Sequence, residues 1–246
     1  MNSPETIFFE AVDVISVKGT DAVDFLNNLT LSDIPGQKEG SVSYNAICNP
    51  KGRIVYTFFI KKDQNALLLA TDRSMAASLL QFLQMRRFRS QVDIAQSTVK
   101  LMLLAHVTDI SNNTFPMLDI KESTADDTSV SIFDWIIVTR YPWITEETSE
   151  KHIPQDLDLD QLGVISFSKG CYPGQEIVAR LHYLGNSKKS MVLFGYRSKE
   201  PLNVNQKITL QDKTTLTIIS PSVAQKSDWI CQAVGPTGYQ TDVIDL

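Results

Sequence analysis

One stretch of eight residues constrains the fold more than any other, because it combines two glycines, a proline, a thiol and two charged groups: Lys169-Gly170-Cys171-Tyr172-Pro173-Gly174-Gln175-Glu176. The two glycines allow backbone conformations that a Cβ would block, and Pro173-Gly174 is a turn dipeptide. The pattern predicts that an extended segment ends here and that a helix begins at Gln175. Cys171 would then lie on a tight turn beside the N-terminus of that helix.

This predicted position favours a reactive thiol at Cys171. Free N–H groups at a helix N-terminus and the ammonium of Lys169, two residues earlier, would both stabilise the thiolate. The alternative is a small buried hydrophobic residue, which is the usual role of a lone cysteine in an intracellular protein. The residue types leave both interpretations open.

The same residues also resemble the signature of a known family. The run K-G-C-Y-x-G-Q-E followed by V-A-R is similar to the motif of the YgfZ family, folate-binding proteins related to the T-protein (aminomethyltransferase) of the glycine cleavage system. Four further segments are similar to family segments and occur in the same order: residues 17–34, 49–54, 87–92 and 153–157.

The resemblance implies an α+β fold with two parts. A T-protein-like folate-binding body would cover residues 1–187, with a division into two subdomains near residues 108–131, and a small C-terminal β-barrel would cover residues 188–246. The residue patterns agree with this order, because strand-like and helix-like stretches alternate in the first half and short β segments follow residue 188.

Local patterns predict the individual elements. Residues 8–17 favour a strand and residues 20–29 a helix, and Asp72 could cap a helix over residues 74–85. Residues 41–47 and 53–60, joined through residues 49–52, predict a β-hairpin. Further strands are predicted at 65–71, 99–107, 132–139, 190–196, 207–210, 214–220 and 229–234. Residues 110–131 are polar and favour a loop.

By resemblance, the body holds a reduced folate, either tetrahydrofolate or a one-carbon derivative, close to the cysteine motif. The candidate folate-binding residues are Trp135, Gly170, Tyr172, Gly174, Gln175, Glu176 and Arg180. Trp135, Tyr172 and Phe167 could form an apolar slot for the pterin, and Gln175 and Glu176 could bind its amide edge. The aromatic residues could equally belong to the core, Glu176 could simply complement the helix dipole, and Arg180 could anchor the helix.

The implied function is that of an accessory protein in the assembly or repair of iron–sulfur clusters. Its partners would be folate and iron–sulfur enzymes or assembly factors, and support of tRNA modification would be indirect. We expect Cys171 and Lys169 to carry the chemistry, with Lys169 keeping the thiol ionised. The T-protein pattern has an acidic pair shortly after the hairpin glycine, where this chain has Val55-Tyr56. T-protein activity is therefore not expected.

Three alternatives remain open from the sequence. The chain could be a folate-dependent aminomethyl- or methyltransferase that uses another acid. It could be a non-catalytic scaffold that folate stabilises. It could also be a cysteine hydrolase that pairs Cys171 with His152 or His182.

Composition excludes several other classes of function. A net charge of −5 argues against direct binding of nucleic acid, although Arg86, Arg87 and Arg89 form a local basic patch. No apolar run is long enough to span a bilayer, and the first twenty residues contain no arginine, so we expect no membrane association, no leader peptide and a cytoplasmic protein. Three widely spaced cysteines predict neither a disulfide framework nor a metal site.

Overall fold

The computed structural model describes residues 6–104, 118–123, 128–185, 187–240 and 243–245. Its strands are β1 (Thr6–Glu10), β2 (Val12–Lys18), β3 (Val42–Cys48), β4 (Ile54–Asp63), β5 (Ala66–Asp72), β6 (Asp93–Ser97), β7 (Lys100–Leu104), β8 (Leu118–Lys121), β9 (Thr128–Ser131), β10 (Lys189–Arg197), β11 (Lys207–Thr209), β12 (Thr215–Ile218), β13 (Val223–Gln225), β14 (Asp228–Pro236) and β15 (Ile244–Asp245). Its helices are α1 (Ala22–Asn27), α2 (Arg73–Arg86), α3 (Ile132–Thr139) and α4 (Gln175–Leu184), with a 3-10 helix at Pro154–Leu157. Within these ranges, no helix is both long enough and apolar enough to cross a membrane.

Three sheets organise these elements into an α+β fold. An antiparallel sheet has the strand order β3-β4-β5-β2-β6, and a mixed sheet has the order β8-β7-β1-β9. The C-terminal β-rich domain is a third sheet, of order β11-β12-β14-β10-β15, with β13 also paired to β14. The predicted hairpin is confirmed as β3 and β4, which pair from Val42 opposite Lys61 to Cys48 opposite Ile54.

The antiparallel sheet separates two hydrophobic cores. Phe59 on β4 belongs to a first core shared with the mixed sheet and α3, whereas Phe58 belongs to a second core shared with α1 and α2. Successive side chains of a strand point to opposite faces of the sheet, so a strand covered on both faces is apolar throughout. A third core, which includes Phe194 and Leu216, lies on the C-terminal sheet.

The predicted start of α2 is confirmed. The Asp72 carboxylate accepts a hydrogen bond from the Ser74 backbone N–H at 2.9 Å. Its second oxygen accepts one from the Trp143 indole N–H at 3.0 Å. Asp72 is buried, so this cap also ties the helix to the segment that follows α3.

The prediction of a strand at 132–139 is wrong, because these residues form α3. Ser131 caps the helix by accepting a hydrogen bond from the Phe133 N–H at 3.2 Å, and Arg140 ends it in the left-handed region at φ 60°. A short apolar run suits a buried strand and a buried helix equally well, so periodicity could not distinguish them. The cap at Ser131 was the sequence signal for the helix.

Two other predictions of secondary structure need correction. Residues 8–17 are two strands rather than one, because Ala11 at φ 55° breaks the run and sends β1 and β2 into different sheets. Residues 110–131 include β8 and β9, which pair with β7 and β1. The four residues of β8 alternate between apolar and polar, with Leu118 and Ile120 buried, whereas β9 is mainly polar. Whether such an edge segment forms a strand depends more on the neighbouring strand it pairs with than on the intrinsic β-propensity of its residues. The remainder of that predicted loop, at 110–117 and 124–127, and the end of the strand predicted at 99–107 lie outside the described residues.

Candidate functional site

The cysteine motif is fixed against the turn of the β3–β4 hairpin. Helix α4 begins at Gln175, as predicted, and Gly174 precedes it at φ 81°. A Cβ on Gly174 would lie 2.5 Å from the Asn49 carbonyl oxygen and 2.7 Å from the Gly52 Cα. Only glycine permits this approach of two backbones, so the glycines of the motif and of the hairpin are needed together.

The hairpin turn is itself held by several hydrogen bonds. The Asn49 side-chain oxygen accepts from the backbone N–H groups of Lys51 and Arg53, both at 3.0 Å. The Arg53 guanidinium donates to the Lys151 carbonyl at 2.5 Å. The surface against which the motif packs is therefore an ordered turn rather than a free loop.

Lys169 anchors the other end of the motif to the C-terminal end of α1. Its ammonium donates to the carbonyl oxygens of Asn27, Thr30 and Ser32 at 2.5, 2.7 and 2.8 Å. Burial lowers the pKa of Lys169 to about 8, and the charge of Asp33 opposes this shift. The ammonium is also 5.6 Å from the centre of the Tyr172 ring. The geometry gives Lys169 a positioning role, and its predicted effect on the Cys171 thiol stays a prediction.

The three cysteines differ sharply in environment. Cys171 is exposed, whereas Cys48 on β3 and Cys231 on β14 are buried, and burial raises the pKa of each of these two thiols to about 12. Cys48 belongs to the first core and Cys231 to the third. In the described part of the chain, no three His, Cys, Asp or Glu side chains come together in a way that could hold a metal ion.

Buried polar groups surround the base of the motif. Tyr172 is 6% exposed, and burial raises the pKa of its hydroxyl well above the usual range. The Gln155 amide donates to the Val178 carbonyl at 2.8 Å. Among the described residues, the Tyr172 hydroxyl, Gln155 Oε1 and His152 Nε2 have no hydrogen-bond partner. Sequence reasoning did not single out Gln155, although it lies in the 153–157 segment that carried the resemblance.

The other predicted site residues divide between α4 and the first core. Glu176 and Arg180 are exposed and lie one helical turn apart on α4, and Gln175 is half-buried. Gly170 is exposed, with no atom within 4 Å of the position of an added Cβ. Trp135 lies on α3, where its ring centroid is 5.6 Å from those of both Phe9 and Phe59. The structure thus brings the 169–180 residues together and places Trp135 in the aromatic core.

Two histidines were alternative partners for the thiol. Burial lowers the pKa of His152 to about 4, so the imidazole is neutral at pH 7. His182 on α4 stacks on the Phe167 ring, with centroids 3.7 Å apart and planes at 16°. Phe167 and His182 therefore pack against each other.

Two positions on β4, Val55 and Tyr56, correspond to the acidic pair of the T-protein pattern, and neither is acidic in this chain. Tyr56 is buried in the second core, where its ring is 5.3 Å from that of Phe82. Val55 is half-buried and packs against the same core. Neither position supplies a carboxylate.

Comparisons with known proteins agree with this architecture. Residues 9–156 match the model of the GCVT N-terminal domain. The tRNA-modifying protein YgfZ of Hamiltonella defensa is 26% identical over 281 residues, covering 94% of this chain and 83% of the relative, and that of Colwellia psychrerythraea is 25% identical, covering 85% and 77%. The crystal structure of the glycine cleavage system aminomethyltransferase T from Bartonella henselae has a TM-score of 0.70 at 12% identity, covering 96% of this chain and 79% of that one. The chain therefore belongs to the GCVT N-terminal domain family, and it is similar over most of its length to the proteins named tRNA-modifying protein YgfZ.

Proposed function

We propose that this protein is a tetrahydrofolate-binding accessory factor in the assembly or repair of iron–sulfur clusters, in which Cys171 is the functional thiol. Support of tRNA modification would follow indirectly, through iron–sulfur enzymes that modify tRNA. The similarity to relatives named tRNA-modifying proteins supports the connection with tRNA. The similarity in fold to an aminomethyltransferase supports the folate part of the proposal.

The observation that carries the proposal is that Cys171 is exposed and lies in a segment that is held in place on both sides. Cys171 is exposed, while Lys169 and Gly174, on either side of it, are fixed to α1 and to the hairpin turn. A cysteine that served only for packing would be buried, as Cys48 and Cys231 are. An exposed thiol held in place is suited to react with, or transfer sulfur or iron to, a second molecule.

The side chains near the motif fit the chemistry of a folate. A pterin offers N–H donors on its amide edge, which the Glu176 carboxylate could accept, and the glutamate tail is an anion that Arg180 could bind. The Tyr172 hydroxyl is buried and has no partner among the described residues, so it could bind a polar atom of the ligand. Bound tetrahydrofolate would carry the one-carbon unit, and the residues of the chain would hold and orient it.

An accessory role is favoured over aminomethyl transfer. Val55 and Tyr56 take the place of the acidic pair that the resemblance associates with transfer, and Tyr56 packs into the second core. General acid catalysis is typically worth about 10²–10⁴ in rate, so its loss would leave little transferase activity. Indirect rather than direct action on tRNA is supported by the net charge of −5.

Calorimetric titration with tetrahydrofolate tests the folate part. We expect saturable binding to the wild-type protein, weaker binding to Glu176→Gln and Arg180→Gln, and unchanged binding to Lys188→Gln, an exposed lysine that follows α4. Cys171→Ser should retain binding. Absence of binding to the wild type, or equal binding by all variants, would contradict the proposed folate site.

Complementation tests the role of the thiol separately. Cells that lack the protein should have reduced activity of iron–sulfur enzymes, and the wild-type chain should restore it. Cys171→Ser should fail to restore it at equal protein level, while Cys48→Ser is not informative because Cys48 is buried in the core. Full restoration by Cys171→Ser would mean that the protein acts as a folate-stabilised scaffold.

A further inference from the structure

A small cavity lies where the C-terminal sheet meets the body of the protein, on the side of α3 and the 3-10 helix. Its volume is about 160 Å³, and it is lined by Arg140, Asp158, Gln161, Leu162, Met191, Leu193 and Gln232. Arg140 and Asp158 end α3 and the 3-10 helix, both in the left-handed region, and Gln232 lies opposite Leu193 in the β10–β14 pair. None of these residues belongs to the cysteine motif.

Gln232 lines this cavity, and its side-chain amide is held in one orientation. Its side-chain amide nitrogen donates to the carbonyl oxygens of Ile136 and Tyr141 at 3.1 and 2.9 Å. A flipped amide would direct oxygen at two carbonyl oxygens, so the orientation is determined. Gln232 is 1% exposed, and its Oε1 has no partner in the described part of the chain. A buried acceptor of this kind requires a donor.

Asp158 and Arg140 add one charge of each sign. One oxygen of Asp158 accepts from the Met191 backbone N–H at 3.1 Å, and the other accepts a longer bond from the Gln161 amide at 3.5 Å. Burial raises the pKa of this carboxyl to about 6, an effect to which Asp160 and Asp156 add and which Arg140 opposes. Arg140 is exposed, and no carboxylate of a described residue lies within 4.0 Å of its guanidinium. The cavity thus combines two acceptors for a cation, one cation for an anion, and an apolar wall formed by Leu162, Met191 and Leu193.

The volume restricts the ligand to a small molecule. Sites for drug-sized ligands have volumes of about 300–1,000 Å³, so 160 Å³ is too small for a pterin with its tail. It corresponds to about five waters at ~30 Å³ each.

We propose that this cavity binds a small free α-amino acid with an apolar side chain. The ammonium donates to Gln232 Oε1 and to the Asp158 carboxylate, and the carboxylate of the ligand pairs with Arg140. The side chain packs against Leu162, Met191 and Leu193. Both charged ends of a zwitterion are needed to satisfy these groups, because Asp158 and Gln232 Oε1 accept hydrogen bonds and the Arg140 guanidinium donates them.

Saturation-transfer NMR and calorimetry with L-leucine test the proposal on the full-length protein. We expect L-leucine to bind, and 3-methylbutylamine, which lacks the carboxylate, and 4-methylpentanoate, which lacks the ammonium, to bind at least about tenfold more weakly, a loss of ~1.4 kcal/mol. Asp158→Asn keeps an acceptor for the Met191 N–H, and Arg140→Gln is a change at an exposed residue, so both variants should fold. Each should weaken leucine binding by a similar factor, whereas Lys207→Gln on β11 should not.

Three outcomes would overturn the proposal. The first is no saturation transfer to millimolar L-leucine, which would mean that water fills the cavity. The second is equal binding of L-leucine by the wild type, Asp158→Asn and Arg140→Gln, with native circular dichroism for all three. The third is displacement of leucine by tetrahydrofolate, which would assign the cavity to the folate; failure to bind folate at all would leave this inference untouched.

Discussion

Replacement of Lys169 by methionine would separate its anchoring role from its predicted effect on the thiol. Methionine keeps most of the apolar stem and removes the ammonium, which donates to three carbonyl oxygens at 2.5 to 2.8 Å. These carbonyls belong to the end of α1 and the residues that follow it. The variant would remove this donor from all three carbonyls, although the Ser32 carbonyl would keep a longer bond from the Thr30 hydroxyl at 3.4 Å.

The expected cost follows from these contacts. An unsatisfied buried acceptor costs about 1–3 kcal/mol, but the site is half-buried, so water can replace part of each bond. Burial of the ammonium already opposes its charge, as the lowered pKa of about 8 indicates. We therefore expect the free energy of unfolding to fall by about 2–3 kcal/mol, which for a chain of this size lowers the Tm by about 4–12 °C.

Urea unfolding and thermal melts at pH 7 measure this change. The matched control is Lys188→Met, at an exposed lysine, which should change the unfolding free energy by less than about 0.5 kcal/mol. The alkylation rate of Cys171 across a pH series reports the thiol separately. If Lys169 also stabilises the thiolate, the rate at neutral pH should fall in Lys169→Met.

An unfolding free energy for Lys169→Met equal to that of Lys188→Met would refute the anchoring argument. It would mean that the three carbonyls are satisfied equally well by water.

Three further predictions follow from the same contacts. Gly174→Ala should lower the unfolding free energy in urea by at least about twice as much as Gly163→Ala: both residues have positive φ, which costs ~1–2 kcal/mol with a Cβ, but of the two only Gly174 has neighbouring backbone atoms within 3 Å of the new Cβ. Equal costs would refute the close approach. Burial lowers the pKa of His152 from 6.5 to about 4, so its contribution to the unfolding free energy should be fully present above pH 6.5 and be lost as the pH falls toward 4. Unfolding measured over a pH series should show a weaker pH dependence for His152→Gln, and an unchanged pH dependence would contradict this prediction. Asp72→Ala should lower the unfolding free energy by about 2–4 kcal/mol and Asp72→Asn by less, because alanine removes both the helix cap and the hydrogen-bond acceptor of the Trp143 indole. Equal melting temperatures for the two variants would argue against a role for the carboxylate.

Local signals in the sequence predicted the parts of the fold that local chemistry decides. The β3–β4 hairpin was marked by its turn residues, and the start of α2 by the side chain of Asp72. The start of α4 followed from Pro173-Gly174. Each of these features depends on a few neighbouring residues, so it could be found without knowledge of the rest of the molecule.

Features that depend on distant partners could not be predicted in this way. The run at 132–139 is apolar apart from Asp134 and Thr139, so its pattern suits a buried strand as well as a buried helix, and the local signal at Ser131 was not enough to decide between them. The anchoring of Lys169 needs carbonyl groups about 140 positions earlier in the chain. The resemblance selected the 169–180 residues as a site, but it gave no indication that Gln155 and Gln232 would have unused buried acceptors.

The contact between Gly174 and the hairpin turn has a consequence for how the thiol meets other molecules. The backbone at Gly174 contacts the turn of the β3–β4 hairpin, and the side chain of Lys169 donates to carbonyl groups at the end of α1. The segment that carries Cys171 is therefore held at both ends, and the sulfur can move only a short distance. A flexible segment can carry a group from one site to another, whereas an exposed sulfur in a fixed position can react only with a molecule that binds next to it. The shape of the surface around residues 169–180 would then determine which partners can bind. A client protein would need a projecting surface that fits this region rather than a deep cleft.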